Sequence, residues 1–250
     1  MGKPASSAPS QHAIVTGGGS GIGLGIAQLL AERGYRVTVC GRDEAKLART
    51  GMAYCCMDVR NRASVVRALE DAGPCDVFVA NAGSAQTAPA LKTDDALWDA
   101  MIASNLTSVF LCAQAAIPAM VKRGQGRFIA IASTASVKGY AYSAAYAAAK
   151  HGVLGWIRSL AIELAKTGVT ANAVCPGFTD TPLIENALTT VEERTGRARE
   201  DVLHQFVKDN PMARLVEPRE VAEAVVWLCS RGAAAVNGQA IMIDGGETIS

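Results

Sequence analysis

The sequence lacks the features typical of several protein classes. Its net charge is only +1 and no block of like charges occurs, so nothing in it predicts a nucleic-acid partner or an anionic membrane partner. No apolar run approaches the length of a membrane span, and residues 1–11 have no apolar core like that of a signal peptide. We therefore expect a cytoplasmic protein with a short flexible tail over residues 1–11.

Cysteine patterns for disulfides or metals are also missing. The cysteines number seven, which is odd, and no Cys-x-x-Cys pair is present, although Cys55 and Cys56 are neighbours. This usage favours a reduced protein whose cysteines serve as small core residues. No cluster of His, Cys, Asp or Glu has metal-ligand spacing, so we expect no catalytic metal. Four cysteines lie in apolar runs: Cys40, Cys112, Cys175 and Cys229.

What the 250 residues do contain is a regular alternation of short apolar runs and longer helical patterns. Strands separated by helices predict an α/β fold with a parallel sheet, and no linker divides the chain, so residues 12–250 are expected to form one domain. Helices are expected near 22–33, 95–122, 144–166 and 218–230. The predicted strands are Ala13–Thr16, Arg36–Cys40, Ala53–Met57, Asp76–Ala80, Arg127–Ala132, Thr170–Cys175 and Ala240–Ile243.

One segment, 181–211, interrupts this alternation between the sixth and seventh strands. It begins with an apolar helical stripe and continues with mixed charges. A long insertion beyond the carboxyl end of a strand is a candidate substrate lid, here over 183–210. The alternative is a helical hairpin packed for stability. The stripe consists of Leu183, Ile184, Ala187, Leu188 and Val191.

A glycine-rich turn, 16–23, follows the first predicted strand and opens the first helix. Its glycines have the spacing Gly17-x-x-x-Gly21-x-Gly23. Glycines at this place let backbone N–H groups approach a pyrophosphate at the helix N-terminus. The position within a β-α-β unit therefore predicts a dinucleotide site.

The end of the second strand distinguishes the two nicotinamide dinucleotides. A carboxylate there would accept hydrogen bonds from the ribose 2′-hydroxyl, but this chain has Gly41 followed by Arg42. A guanidinium favours a 2′-phosphate. We therefore expect NADP and leave NAD open, with Asp43 as the cap of the following helix.

A serine, a tyrosine and a lysine form the candidate catalytic group. Tyr146 and Lys150 are four residues apart, so they share one face of a helix, and Ser133 precedes the tyrosine by thirteen residues. A nearby lysine charge would lower the pKa of the phenol toward the range useful for acid–base catalysis. The serine hydroxyl could hold a carbonyl or alcohol oxygen beside the phenol.

These motifs, in this order, resemble the short-chain dehydrogenase/reductase family from Ala13 to Gly246. The resemblance implies a Rossmann-type, doubly wound, seven-stranded parallel sheet with helices on both faces. It assigns catalysis to Asn105, Ser133, Tyr146 and Lys150, where Asn105 would hold a water and extend a proton relay from Lys150. It implies nicotinamide dinucleotide binding by Gly17, Gly19, Ser20, Gly21, Ile22, Gly23, Arg42, Asp58, Val59, Asn81, Ala82, Gly83, Tyr146, Lys150, Pro176, Gly177, Phe178, Thr179 and Thr181.

The same resemblance implies hydride transfer between NADP(H) and a ketone or secondary alcohol, by an enzyme that is usually a homotetramer. A 3-oxoacyl thioester of an acyl carrier protein or coenzyme A is the leading substrate class, by analogy of fold. Another secondary alcohol or a cyclic ketone is the alternative. A third interpretation is a non-catalytic protein that senses nicotinamide state. The expected pocket residues are Ala135, Ser136, Tyr140, Tyr142 and Phe178.

Overall fold

The computed structural model describes residues 10–249, so the predicted tail falls almost wholly outside the described part of the chain. All seven strands form one parallel sheet in the order β3-β2-β1-β4-β5-β6-β7. The predicted strands are confirmed to within one or two residues at each end. Their bounds are β1 His12–Thr16, β2 Arg36–Gly41, β3 Ala53–Cys56, β4 Val77–Ala80, β5 Gly126–Ile131, β6 Val169–Pro176 and β7 Ala240–Ile243.

Helices connect these strands, and the four long predicted helical regions are confirmed. The segment between β6 and β7 contains a helical hairpin, α7 and α8, ahead of α9. Short 3₁₀ turns occupy Ala90–Lys92, Thr134–Ser136 and Arg231–Ala233. The α-helices are α1 Gly21–Glu32, α2 Glu44–Ala48, α3 Arg62–Ala72, α4 Asp95–Ile102, α5 Ser108–Arg123, α6 Ala144–Leu164, α7 Pro182–Thr195, α8 Arg199–Val207 and α9 Pro218–Cys229.

Apolar cores lie on both faces of the sheet. One core packs α3, α5 and α6 against the strands and contains Phe78 and Phe128, whose rings stack with centroids 5.7 Å apart. The other packs α1 and α9 against the opposite face and contains Leu30 and Val225. This double covering buries the central strands β1, β4, β5 and β6, as parallel strands require. The predicted doubly wound α/β fold is confirmed.

The functional edge of the sheet follows from its strand order. Because all strands are parallel, their carboxyl ends meet at one edge, and the order reverses between β1 and β4. A crevice outside the strand ends at such a reversal is where ligands bind in open α/β sheets. Here the loops after β1 and β4, which carry the glycine turn and Asn81, border that crevice.

One helical stretch corrects the expectation that no apolar run approaches the length of a membrane span. The helical stretch Asp95–Arg123, which includes a π-helical segment at Ala103–Thr107, is long and apolar enough to cross a membrane by length and composition alone. Half of its most apolar window is buried within the fold, against the sheet and α3. That burial is typical of a core helix.

The cysteines are placed largely as expected. Cys40, Cys112, Cys175 and Cys229 are buried, and within residues 10–249 all seven cysteines are free thiols. Cys56, by contrast, is exposed, and its neighbour is only partly buried.

Candidate active site

The glycine turn after β1 forms a cradle of backbone amides. Gly17 and Gly21 adopt left-handed φ angles of 66° and 53°, which favour glycine. The Gly17 N–H donates to the Cys40 carbonyl at 2.7 Å, which ties the turn to β2. Helix α1 then begins at Gly21, so its first N–H groups point into the crevice. This geometry fits a pyrophosphate group.

Asn81 locks the end of β4 to this turn. Its side-chain Nδ2 donates to the Thr16 carbonyl at 2.9 Å. In return, the Thr16 hydroxyl accepts the backbone N–H groups of Asn81 and Ala82, each at 3.0 Å. A Cβ atom on Gly23 would lie 2.5 Å from Asn81 Nδ2 and closer still to the Gly17 carbonyl oxygen. The two loops therefore share one tightly packed junction.

Gly23→Ala is expected to abolish nucleotide binding, because the methyl group would force the Gly17 carbonyl out of the turn. Isothermal titration with NADPH would measure the loss. Gly155→Ala is the matched control: it lies in α6 with nothing within 4 Å of an added Cβ, so it should bind nucleotide normally and gain up to about 1 kcal/mol in unfolding free energy. Normal binding by Gly23→Ala would reject the proposed role of the turn.

The ends of β2 and β3 place Arg42 and Asp58 on the adenine side of the crevice. Arg42 is exposed, and Asp43 caps α2 as predicted, with its carboxylate accepting the Lys46 N–H at 3.1 Å. The Asp58 carboxylate is held by the Arg60 guanidinium at 2.7 and 3.0 Å. That hydrogen bond is the main reason that the pKa of Asp58 falls to about 2, with the Arg42 charge contributing. Sequence reasoning missed this Arg60 pairing.

Asn105 lies in the π-helical segment and is buried. Its side chain clamps Ser84: Nδ2 donates to the Ser84 carbonyl at 2.8 Å, and Oδ1 accepts the Ser84 N–H at 3.2 Å. The same oxygen would lie 2.6 Å from a Cβ atom on Gly83. The side chain thus fixes the loop after β4. The predicted role of its backbone in a water relay stays a prediction.

Ser133, Tyr146 and Lys150 come together at the carboxyl end of β5. Ser133 lies two residues beyond β5, close enough to the Tyr146 side chain to affect the pKa of the phenol. Lys150, one turn along α6, is 5% exposed, and its Nζ donates to the Ile131 carbonyl at 2.9 Å. That ammonium lies 5.7 Å from the centroid of the Tyr146 ring. The pair of hydroxyls forms a site for one substrate oxygen.

Burial is the main cause of the pKa shifts of Tyr146 and Lys150, whereas the sequence predicted a shift caused by the lysine charge. Burial raises the pKa of Tyr146, partly opposed by the Ser133 hydrogen bond. Burial also lowers the pKa of Lys150 to about 8, because removal from water penalises the ammonium. The net shift of the phenol's pKa in this structure is therefore upward, and the expected lowering by the Lys150 charge stays a prediction. The sequence predicts the spacing of the two groups but not the loss of their solvation.

Reduction is expected to slow as pH rises through about 8. Lys150 is charged below that pKa and neutral above it, whereas burial raises the pKa of Tyr146, so the phenol keeps its proton as Lys150 loses its charge. The value of kcat/KM reports groups of the free enzyme, so it should fall with an apparent pKa near 8 when measured from pH 6 to 10. A flat profile up to pH 10, in protein that stays folded, would contradict this assignment.

The loop after β6 closes the other side of the crevice. Pro176 ends β6, and Thr181 precedes α7, where its Cγ2 would lie 3.2 Å from a Cβ atom on Gly21. Thr179 is buried, and its hydroxyl donates to the Gly177 carbonyl at 2.9 Å. Thr179 therefore braces the loop from within, while Thr181 contacts the glycine turn.

A buried carboxylate near the C-terminus, which sequence reasoning missed, joins the substrate loops. Glu247 accepts hydrogen bonds from the Tyr140 hydroxyl and from Lys138 Nζ, the latter at 3.4 Å. The Tyr140 ring packs edge-on to Phe178, which packs edge-on to Phe206 of α8. This contact chain links the loop after β5, the loop after β6 and the candidate lid. No local sequence signal connects residues 107 positions apart.

One further residue expected in the pocket, Tyr142, lies just before the catalytic helix. Tyr142 is 64% exposed and has a φ of 65°, which is unusual for a bulky side chain. Its carbonyl accepts the Ala88 N–H at 2.8 Å, which holds the loop in that shape. A strained exposed aromatic beside a reactive group is a candidate substrate contact.

Comparison with known proteins places these features in a family. A family model described as enoyl-(acyl carrier protein) reductase matches residues 17–248. A candidate ketoacyl reductase of Streptomyces coelicolor is 40% identical over 253 residues, covering 95% of this chain and 97% of the relative. The chain belongs to the short-chain dehydrogenase/reductase family. The predicted resemblance is confirmed, and the protein is an oxidoreductase that uses a nicotinamide dinucleotide.

Other members of the short-chain dehydrogenase/reductase family give the same result. A cis-4-hydroxycyclohexanecarboxylate dehydrogenase of Sinomonas cyclohexanicum is 38% identical, covering 94% of this chain and 96% of the relative. A crystal structure of an actinorhodin polyketide ketoreductase variant with NADPH is 38% identical and superposes with a TM-score of 0.89. It covers 96% of this chain and 98% of the other. The fold is thus shared with this ketoreductase over nearly the full length.

Proposed function

We propose that this protein is an NADP(H)-dependent ketoreductase that acts on 3-oxoacyl thioesters. The observation that carries the proposal is the proximity of the Ser133 and Tyr146 side chains, with the buried Lys150 ammonium 5.7 Å from the centroid of the phenol ring. Two hydroxyls that face one point can hold and protonate a single carbonyl oxygen. A bound nicotinamide dinucleotide supplies the hydride for the carbonyl carbon.

Tyr146 is the proton donor to the carbonyl oxygen in reduction and the proton acceptor in oxidation. Its raised pKa keeps it protonated, and therefore ready to donate, at neutral pH. Ser133 orients the substrate oxygen and stabilises its developing negative charge. Lys150 provides a nearby positive charge, and it would bind the nicotinamide ribose hydroxyls. Asn105 fixes the loop after β4 and would support a water that returns protons to Lys150.

The residues present fit the dinucleotide along the whole crevice. The amides of Gly19 to Gly23 would hold the pyrophosphate, with Gly17 shaping the turn. The segments Asp58–Val59 and Asn81–Gly83 would border the adenosine, and 176–181 the nicotinamide. Arg42 would meet the 2′-phosphate, since it is exposed at the end of β2 where no carboxylate competes for the ribose. This is the basis for preferring NADP.

The substrate class is inferred from the open end of the crevice and from the named ketoacyl relative. Leu183 on the candidate lid is 55% exposed and offers an apolar wall for an acyl chain. Arg194 and Lys208 could meet a phosphate-bearing carrier. Arg199, a further cation of the same segment, is paired with Glu185 at 2.5 Å and with Glu192 at 3.3 Å, so it braces the hairpin.

A cyclic ketone or other secondary alcohol is the second candidate substrate. The cyclohexane carboxylate dehydrogenase relative favours it, since that protein is similar over nearly the same length. Tyr142 and Phe178 offer aromatic surfaces suited to a ring. The segment 183–210, which carries most of α7 and all of α8, would serve as the lid for either substrate.

We also propose a cytoplasmic homotetramer. Trp98 of α4, Val121 of α5 and Ile162 of α6 are exposed, the last at 78%. Apolar side chains on the outer surfaces of long helices favour helix packing between subunits. Strand β7 ends the sheet and offers a second contact, as the family resemblance implies.

A substrate panel tests the proposed function. The panel contains acetoacetyl-coenzyme A, an N-acetylcysteamine 3-oxothioester and a cyclohexanone. Each would be incubated with the protein and NADPH, and the loss of absorbance of the reduced nicotinamide would give the rate. We expect the thioesters to be reduced with the highest kcat/KM. A preference for the cyclohexanone would favour the second candidate. Tight NADPH binding with no turnover of any ketone would favour a sensor and reject both.

A further inference from the structure

Two cysteines face each other across the adenine-side strands of the sheet. Cys40 of β2 and Cys55 of β3 are partners in the parallel register. Cys40 belongs to the apolar core under α3, and Cys55 packs against that same core, so both side chains point to one face. Register partners in a parallel pair whose side chains share a face are direct neighbours across the strands. The chain therefore holds two thiols side by side near the carboxyl edge of the sheet.

This pair is directly connected to the glycine turn. The Cys40 carbonyl accepts the N–H of Gly17 at 2.7 Å and that of Gly18 at 3.4 Å. One residue further on, the Gly41 carbonyl accepts the Met57 N–H at 2.8 Å. A change in the spacing of β2 and β3 at the cysteines would therefore shift the carbonyl that positions the turn.

The two thiols have different environments. Cys40 is fully buried, whereas Cys55 is partly exposed on β3, the edge strand of the sheet. The hydrogen bond from Cys40 lowers the pKa of Cys55, and the same bond raises the pKa of Cys40. The accessible member is thus the better thiolate, which is the reactive form of cysteine.

We propose that Cys40 and Cys55 are a peroxide-sensitive dithiol whose disulfide weakens nucleotide binding at the glycine turn. The Cys55 thiolate attacks a peroxide oxygen, so that an S–O bond forms, the O–O bond breaks, and hydroxide leaves and takes a proton. The Cys40 sulfur then attacks the sulfenic acid, so that the S–S bond forms and water leaves. Two thiols lose two electrons, and hydrogen peroxide becomes two waters.

The strand geometry permits this bond with a small movement. Neighbouring strands lie about 4.8 Å apart, within the Cα separations of about 4.4 to 6.8 Å that disulfides span. Cβ atoms that point in parallel are somewhat wider apart than an ideal disulfide prefers. Strand β3 has only four residues and, as the edge strand, is paired on one side only, so it can move to close the gap. Such a bond should be readily reduced.

Peptide mapping tests the site without any nucleotide. Reduced protein would be treated with a few equivalents of hydrogen peroxide, alkylated and digested with trypsin, which places Cys40 in peptide 37–42 and Cys55 in peptide 50–60. We expect these two peptides to become linked, and dithiothreitol to release them. Cys55→Ser should prevent the link, whereas Cys56→Ser, the exposed neighbour in the same peptide, should leave it intact. No link, or a link that needs Cys56, would overturn the proposal.

A second measurement tests the coupling to the turn and rests on the proposed function. The Kd for NADPH would be measured by fluorescence in reduced and oxidised protein. We expect at least a tenfold weaker Kd after oxidation, recovery with dithiothreitol, and no response of Cys55→Ser to peroxide. A disulfide with unchanged Kd would refute the coupling. If reduced protein fails to bind NADPH, the proposed function fails, while the peptide map still decides the disulfide.

Discussion

Replacing Tyr146 with phenylalanine is expected to abolish ketone reduction, with kcat/KM falling by about 10³-fold or more while NADPH binding is retained. The substitution removes only the phenolic hydroxyl beside Ser133, and general acid catalysis typically contributes about 10² to 10⁴ in rate. Steady-state kinetics and titration of NADPH on the same preparation would separate the two effects.

The chain supplies a matched control for this experiment. Tyr142→Phe removes a phenolic hydroxyl four residues earlier in the chain, from an exposed residue in the adjoining loop. It should keep most of the activity, with any change confined to the KM for the ketone. Tyr146→Phe protein that keeps more than a few per cent of wild-type turnover would refute the role assigned to the phenol.

The second large effect is expected at Arg42. Arg42→Ala should raise the KM and Kd for NADPH by about 10- to 100-fold, since a hydrogen bond to a charged group is worth about 1.5–3 kcal/mol. The KM and Kd for NADH, which has no 2′-phosphate, should rise much less. The measurement is a pair of titrations, one with each nucleotide, on wild type and variant.

Arg49→Ala provides the control for charge alone. Arg49 is also exposed, and it ends α2 a short distance along the chain from Arg42. Its removal should change the Kd values for NADPH and NADH only slightly and to the same extent. Equal losses for NADPH and NADH in Arg42→Ala would reject recognition of a 2′-phosphate by this guanidinium.

Much of the fold could be predicted because its signals are local. The apolar runs of β1 and β6 are buried on both faces, and a run of consecutive apolar residues can be recognised from the sequence alone. The glycine turn was predictable for a similar reason, since left-handed φ angles at Gly17 and Gly21 require residues without a Cβ. Spacing alone was enough to place Tyr146 and Lys150 on one face of α6.

The remaining features depend on contacts between distant segments. The Glu247–Tyr140 hydrogen bond joins the C-terminal turn to the loop before α6, and Asn105 clamps Ser84 across 21 residues. Local sequence patterns carry no record of such pairs. The pKa shift of Lys150 could not be predicted either, because it depends on how completely the fold removes the ammonium from water.

The most direct test of the central claim is a crystal structure of the ternary complex with NADP⁺ and an unreactive 3-oxothioester analogue. We predict that the analogue's 3-oxo oxygen lies within hydrogen-bonding distance, about 2.7–2.8 Å, of both the Ser133 and Tyr146 hydroxyls. The pyrophosphate should contact the amides of the glycine turn. An analogue oxygen out of reach of both hydroxyls, or a dinucleotide bound away from the turn, would contradict the account.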